Sequence, residues 1–158
     1  MSEFRQMRRF KQQTTDEECM DILIKAKRGI LAVLGDEGYP YTVPLDYVYE
    51  DGHIYFHCAK EGHKLDAIRG CDKASFCVLS DGELEPDDWW YHFTSVVCFG
   101  RVHIVEEEKL TADKLCALGR KYFPNEAMIE DDMAKNAARA LVLDFEIEHM
   151  TGKRVKER

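Results

Sequence analysis

Residues 39–59 read YPYTVPLDYVYEDGHIYFHCA, two alternating runs on either side of an Asp-Gly pair. In a strand, successive side chains point to opposite faces. Tyr41, Val43, Leu45, Tyr47 and Tyr49 therefore share one face, and Thr42, Pro44, Asp46 and Val48 the other. Asp51-Gly52 is a strong two-residue hairpin signal. Past it, Ile54, Phe56 and Cys58 alternate with Tyr55, His57 and Ala59. Pro44 cannot donate a ladder hydrogen bond, which predicts an edge, a bulge or a ligand at that point.

Upstream, Thr15 followed three residues later by Glu18 is a capping box. It opens a helix with Cys19, Ile22, Leu23 and Ala26 on one face, expected to end at Gly29. ILAVLG then reads as a buried strand, closed by a turn at Asp36-Glu37-Gly38. Downstream, a short helix is expected near Gly62 to Gly70, then a strand in KASFCVLS and an acidic loop in DGELEPDD. WWYHFTSVVCFGRVHIV is long for one strand, and Gly100 suggests a bulge or bend in it. Helices are expected at about Glu107 to Tyr122, stopped by Pro124, and at Ala127 to Arg139. ALVLDFEIEHMTGK supplies the closing strand. The sum is a mainly β domain with flanking helices, a six-stranded antiparallel barrel over residues 14–153, with an arm at 1–13 and a tail at 154–158.

The chain has 158 residues, enough for one domain with a core of its own. A formal net charge of −8 argues against a dedicated nucleic-acid surface. No run of eighteen apolar residues predicts a membrane helix, and no apolar run follows the basic N-terminus as a secretory signal would require. Six cysteines without a C-x-x-C pair read as free thiols, and a cytoplasmic location is expected. Arg5, Arg8, Arg9 and Lys11 without interleaved aromatics are a weak nucleic-acid signal; contact with an acidic partner surface and a frayed end also fit.

One corner gathers chemistry. HCAKEGHK, residues 57–64, puts two histidines, a cysteine and two lysines where a strand gives way to a helix. A zinc site is a poor fit. His53 and His57 stand about 13 Å apart along the strand, while His57 and Cys58 point to opposite faces. A phosphate fits better. A helix start offers unpaired N–H groups and the positive end of its dipole, and Gly62 permits close approach. A solvated turn, with Glu61 and Asp66 balancing the cations, fits too.

YTVPLDYVYEDGHIYFHCAKEGHKLDAIRG, FTSVVCFGRV and DFEIEHMTGKR, in that order, resemble the nitroimidazole-resistance (NimA-like) branch of the pyridoxamine 5′-phosphate oxidase-related flavoproteins. The resemblance runs from about Arg8 to Lys153. It implies a split β-barrel homodimer with FMN held non-covalently between the subunits. His63 and Lys64 match the paired basic phosphate ligands, and His57 and Cys58 the strand residues beside the ribityl chain and phosphate. Val43, Pro44, Leu45 and Asp46 match the strand whose backbone borders the flavin ring. Ser95 and Val97 match positions approaching the ring from the long strand, from the partner subunit or from the same one. Where the family often has Arg, this chain has His63. The implied function is an oxidoreductase passing electrons from a reduced nicotinamide or similar donor to a small acceptor such as a nitroaromatic. A non-catalytic FMN store or sensor, and a heme- or deazaflavin-binding barrel, are the alternatives. The chain lacks the length and the basic C-terminal motif of a pyridoxine oxidase. His57 reads either as a proton donor or as a ribityl or backbone contact, and Asp46 either as a substrate-orienting group or as a backbone partner.

Overall fold

Two hairpins that are neighbours in sequence end at opposite edges of one sheet. The structure, a computed structural model, describes residues 4–87 and 89–155. The first residues of the arm, Asp88 of the acidic loop and the last three residues of the tail lie outside the described residues. Strand β1 (Arg28–Leu34) pairs antiparallel with β2 (Pro40–Asp46), and β3 (Val48–Glu50) with β4 (His53–Ala59). The turn between β3 and β4 has Asp51 and Gly52 both at positive φ, as the Asp-Gly pair predicts. Strands β5 (Lys73–Leu79), β7 (Tyr91–Ile104) and β8 (Ala140–Val155) complete the ladder β2-β1-β5-β7-β8-β4-β3.

Only Tyr47 separates β2 from β3. Laid flat, seven strands would hold the two edges roughly 29 Å apart. A chain can cross that gap in two Cα steps only if the sheet curls until its edges meet. The fold is therefore a split barrel with flanking helices.

The ladder corrects the strand count from six to eight. The alternating run 39–50 is two strands broken at Tyr47, and Glu83–Leu84 of the acidic loop forms β6 against Tyr91 and His92. Strand β7 begins at Tyr91, after the two tryptophans. The break at Tyr47 has a physical cause. Its ring is fully buried against Phe76, its hydroxyl donates to the Leu23 carbonyl at 2.6 Å, and its N–H donates to the Tyr122 hydroxyl at 2.9 Å.

Helix α1 (Asp16–Lys25) plugs the barrel with Cys19 and Leu23. Its capping box is complete. The Thr15 hydroxyl accepts the Glu18 N–H at 3.2 Å and the Glu18 carboxylate accepts the Thr15 N–H at 3.1 Å, worth about 1 kcal/mol. The helix ends at Lys25, and Gly29, expected as its stop, lies inside β1 instead. A Cβ there would stand 2.2 Å from the Phe76 ring.

The bulge expected at Gly100 is present. Phe99 faces His149 but Gly100 faces Ile147, so Glu148 is the extra residue, on β8. A Cβ at Gly100 would lie 2.0 Å from the Glu146 carbonyl oxygen. Arg101 then bridges Glu148 and Asp72 at 2.9 Å each.

The outer face of the sheet is half covered. Helices α3 (Glu108–Tyr122) and α4 (Glu126–Asn136) pack over its β4 side, where Tyr55, Val105 and Val142 are buried with Val48, Leu110 and Leu115. The β1–β5–β7 side is open and apolar: Ile30, Leu34, Leu79 and Phe99 are all exposed. Residues of the arm fold back onto this domain. The Thr14 N–H donates to the Gly152 carbonyl at 2.9 Å, and the Phe4 ring stacks on His149 at 4.5 Å. No helix among the described residues is long and apolar enough to cross a membrane.

Candidate functional site

The strand-to-helix corner is built by β4, a turn at Gly62 and helix α2 (His63–Gly70). Gly62 has φ 135°, which a side chain would oppose. Leu65, Ala67 and Ile68 are buried and fix the helix against the barrel. No side chain caps its start. The Leu65 and Asp66 N–H groups return to the Gly62 carbonyl at 3.0 and 3.2 Å, and helix geometry leaves those of His63 and Lys64 without an intrahelical acceptor.

His63 and Lys64 diverge from this start. The His63 ring lies 4.2 Å from that of Tyr41, and its Nε2 accepts the Asp36 N–H at 3.4 Å, so it folds over the β1–β2 turn. Lys64 is half-buried beside Cys58. Burial pushes the Cys58 thiol up from its ordinary value, and the Lys64 ammonium pulls it partly back. Cys58 is buried in the barrel core, with its thiol near enough to feel the Lys64 charge.

Strand β2 is an edge, which accommodates Pro44. Val43 and Leu45 turn inward against the core, while Pro44 and Asp46 turn outward. Asp46 accepts a 2.7 Å bond from Arg28 Nε, its cross-strand partner. Ser95 and Val97 are on the outer face of β7, paired with Leu79 and Cys77 of β5. That places Val97 three strands from Pro44, roughly 14 Å. Within one chain these stretches of β2 and β7 therefore do not converge.

Asp46 and His57 do converge. Both line a cavity of about 370 Å³ roofed by α3 and α4, with Leu118, Tyr122, Ile129 and Met133 on its apolar wall. Asp132 and Asn136 add polar groups, joined by an Asn136 Nδ2 bond to Asp132 at 2.7 Å. The helical wall was not identified from sequence as part of a site, because Leu115, Leu118 and Tyr122 have the spacing of an ordinary core face. A broader, charged groove of about 940 Å³ runs on the far side of β1, between the α1–β1 connection and β6, and contains none of the predicted site residues.

A second polar cluster lies under the bulge. His53 Nδ1 is 2.8 Å and His103 Nε2 3.5 Å from the two oxygens of buried Asp144. Among the described residues no group of three or more His, Cys, Asp or Glu is placed to hold a metal ion.

The model of one family, described as pyridoxamine 5′-phosphate oxidase, matches residues 15–154, nearly the whole chain. The chain belongs to that family. No curated protein matches it. Solved structures of similar fold include a candidate 5-nitroimidazole antibiotic resistance protein from Bacteroides thetaiotaomicron, with a TM-score of 0.74 at 19% identity over 90% of this chain and 88% of that one. The flavocytochrome Anf3 from Azotobacter vinelandii aligns with a TM-score of 0.79 at 20% identity, covering 96% of this chain and 73% of its own. A FAD-binding protein from Mesorhizobium loti gives 0.67 at 24% identity, over 91% and 97%. At these identities the likeness to these structures is one of fold.

Proposed function

We propose that this chain is an FMN-binding oxidoreductase that works as a homodimer, taking electrons from a reduced nicotinamide or similar donor and passing them to a small acceptor such as a nitroaromatic. The observation that carries the reading is the uncapped start of α2, with Lys64 beside it, at the end of the same strand that brings His57 to the Asp46 cavity. A dianionic phosphate satisfies both the free N–H groups and the lysine. FMN supplies the redox chemistry, and the protein supplies position and electrostatics.

Each residue then has a definite task. Lys64 and the N–H groups of His63 and Lys64 hold the phosphate. The edge of β2 from Val43 to Asp46 offers backbone to the ring, with the Asp46 carboxylate kept in place by Arg28. His57 lies between the two ends, beside the ribityl chain. Ser95 and Val97 are too far away to join this half-site in their own chain, which favours their reaching the ring of a second copy. The open apolar face carrying Ile30, Leu34, Leu79 and Phe99 suits such a partner, because exposed apolar patches mark interaction surfaces. The fold is also shared with proteins described as FAD-binding and as a flavocytochrome.

The test is an absorbance spectrum of the protein with added FMN, followed by anaerobic NAD(P)H and then a nitroaromatic. The reading requires FMN to bind, bleaching by the donor and recovery on adding the acceptor. Bound FMN that no donor bleaches would make the protein a flavin store or sensor. A Soret band in place of flavin absorbance would identify a heme barrel.

A further inference from the structure

We infer that the cavity between α3, α4 and the Asp46–His57 wall is a binding pocket for a flat, single-ring molecule that is uncharged or cationic, and that it excludes anions. Calling this molecule the electron acceptor rests on the flavin reading above; the pocket's selectivity does not.

Size is the first argument. A dry apolar cavity of about 150 Å³ already holds benzene, and ligand pockets start near 300 Å³. At about 370 Å³ this chamber takes one substituted ring and little more. Leu118, Tyr122, Ile129 and Met133 supply its apolar wall.

Charge is the second. The ionisable side chains that line the chamber are Asp46, Asp132, His57 and the Tyr122 phenol, and neither lysine nor arginine is among its lining. The nearby cations are engaged elsewhere. Arg28 bonds Asp46 at 2.7 Å, Arg139 donates to Asn136 Oδ1, and the Lys121 ammonium sits 3.9 Å over the Tyr47 ring. Asn136 in turn spends its Nδ2 on Asp132. An entering carboxylate or phosphate would lose its water and meet the Asp46 carboxylate, whose one cation, Arg28, is already bonded to it, and the Asp132 carboxylate, an expensive burial. An amidinium, or a neutral ring with an N–H donor, meets acceptors on Asp46 and Asp132 instead.

The experiment titrates the full-length protein with three matched probes, benzamidine, benzamide and benzoate, following backbone amide shifts of Gly119 and Ile129 by NMR. It is run without FMN and with saturating FMN. Benzamidine should bind at least tenfold more tightly than benzoate, with benzamide between them, and FMN should leave the order unchanged. Ala137→Phe, which fills the chamber, should abolish benzamidine shifts while FMN affinity stays within twofold. Asp132→Asn should weaken benzamidine severalfold and spare benzamide. Benzoate binding as tightly as benzamidine in the unmodified protein overturns the inference, and that comparison needs no variant to fold. Competitive displacement of benzamidine by FMN also overturns it, since the chamber would then hold the flavin ring. If benzamidine binds selectively and FMN does not bind at all, the pocket stands and the flavin reading falls.

Discussion

The Tyr122 hydroxyl accepts the Tyr47 N–H at 2.9 Å while donating to the Lys27 carbonyl at 2.6 Å. One side chain of α3 thus ties the single residue that joins the two edges of the sheet to the connection leading into β1. Tyr122→Phe strips a partner from two backbone groups at once. A loss of about 1–3 kcal/mol is expected, read as a lowered urea midpoint with an unchanged slope. An unchanged midpoint would show that the crossing holds itself.

Lys121, the residue before Tyr122, is half-buried over the Tyr47 ring, and its buried ammonium has no hydrogen-bond partner among the described residues. Burial, with Lys27 nearby, pulls its pKa down to about 8. The unfolded chain, with lysine near 10.4, then holds the proton more tightly than the native one. Stability contributed by this residue therefore rises with pH between about 8 and 10. Lys121→Met should lack that rise. The stability difference between wild type and variant, followed by denaturation at several pH values, should move in favour of wild type across this window. A difference independent of pH would place the ammonium in solvent.

The cysteines push the other way. Burial, with Cys19 and Cys77 nearby, raises the Cys98 thiol to about 12, and burial raises Cys19, Cys58 and Cys77 as well. A raised acid pKa means stability that is intact below the unfolded value, near 8.5, and lost as pH climbs toward the folded one. Cys98→Val, close in shape, should shift the alkaline unfolding midpoint upward. Native protein should also react with a thiol reagent first at the partly exposed Cys71 and Cys116, with Cys19 and Cys98 silent until unfolding. Early labelling of Cys98 would contradict its burial.

Lys64→Ala tests the phosphate corner. It should weaken FMN by about 1–3 kcal/mol, the range for a lost charged hydrogen bond. Leu65 and Ile68 still anchor α2, so thermal stability should hardly change. An FMN titration curve that overlays the wild type would remove Lys64 from the site.

Alternation made most of the barrel legible in the sequence. The strand at His53–Ala59, the Asp51-Gly52 turn, the Thr15 capping box and the Gly100 bulge all follow from local rules, because each is enforced by neighbours within a few residues. The break at Tyr47 was hidden for the same reason. Tyr41 to Tyr49 keep one phase of alternation straight through it, and the group that fixes it, Tyr122, is 75 residues away. Strand β6 is two residues long and has no periodicity to read. At the site, Pro44 announced an edge, a bulge or a ligand because proline lacks an N–H, and the edge is what the ladder has. The α3–α4 wall announced nothing. A helix face that lines a void carries the same residues as one that fills it, and the difference lies in what packs opposite.

The join at Tyr47 also sets an order of assembly during synthesis. By about residue 60 both early hairpins can exist, yet the free side of β4 has its partner only in β8, where His53 meets Glu146 and Ala59 meets Ala140. A ribosome paused before Ala140 holds a chain with β4 and β7 each offering bare backbone, a template for any other strand that arrives first. The last sixteen described residues are thus the step that converts a sticky intermediate into a sealed one.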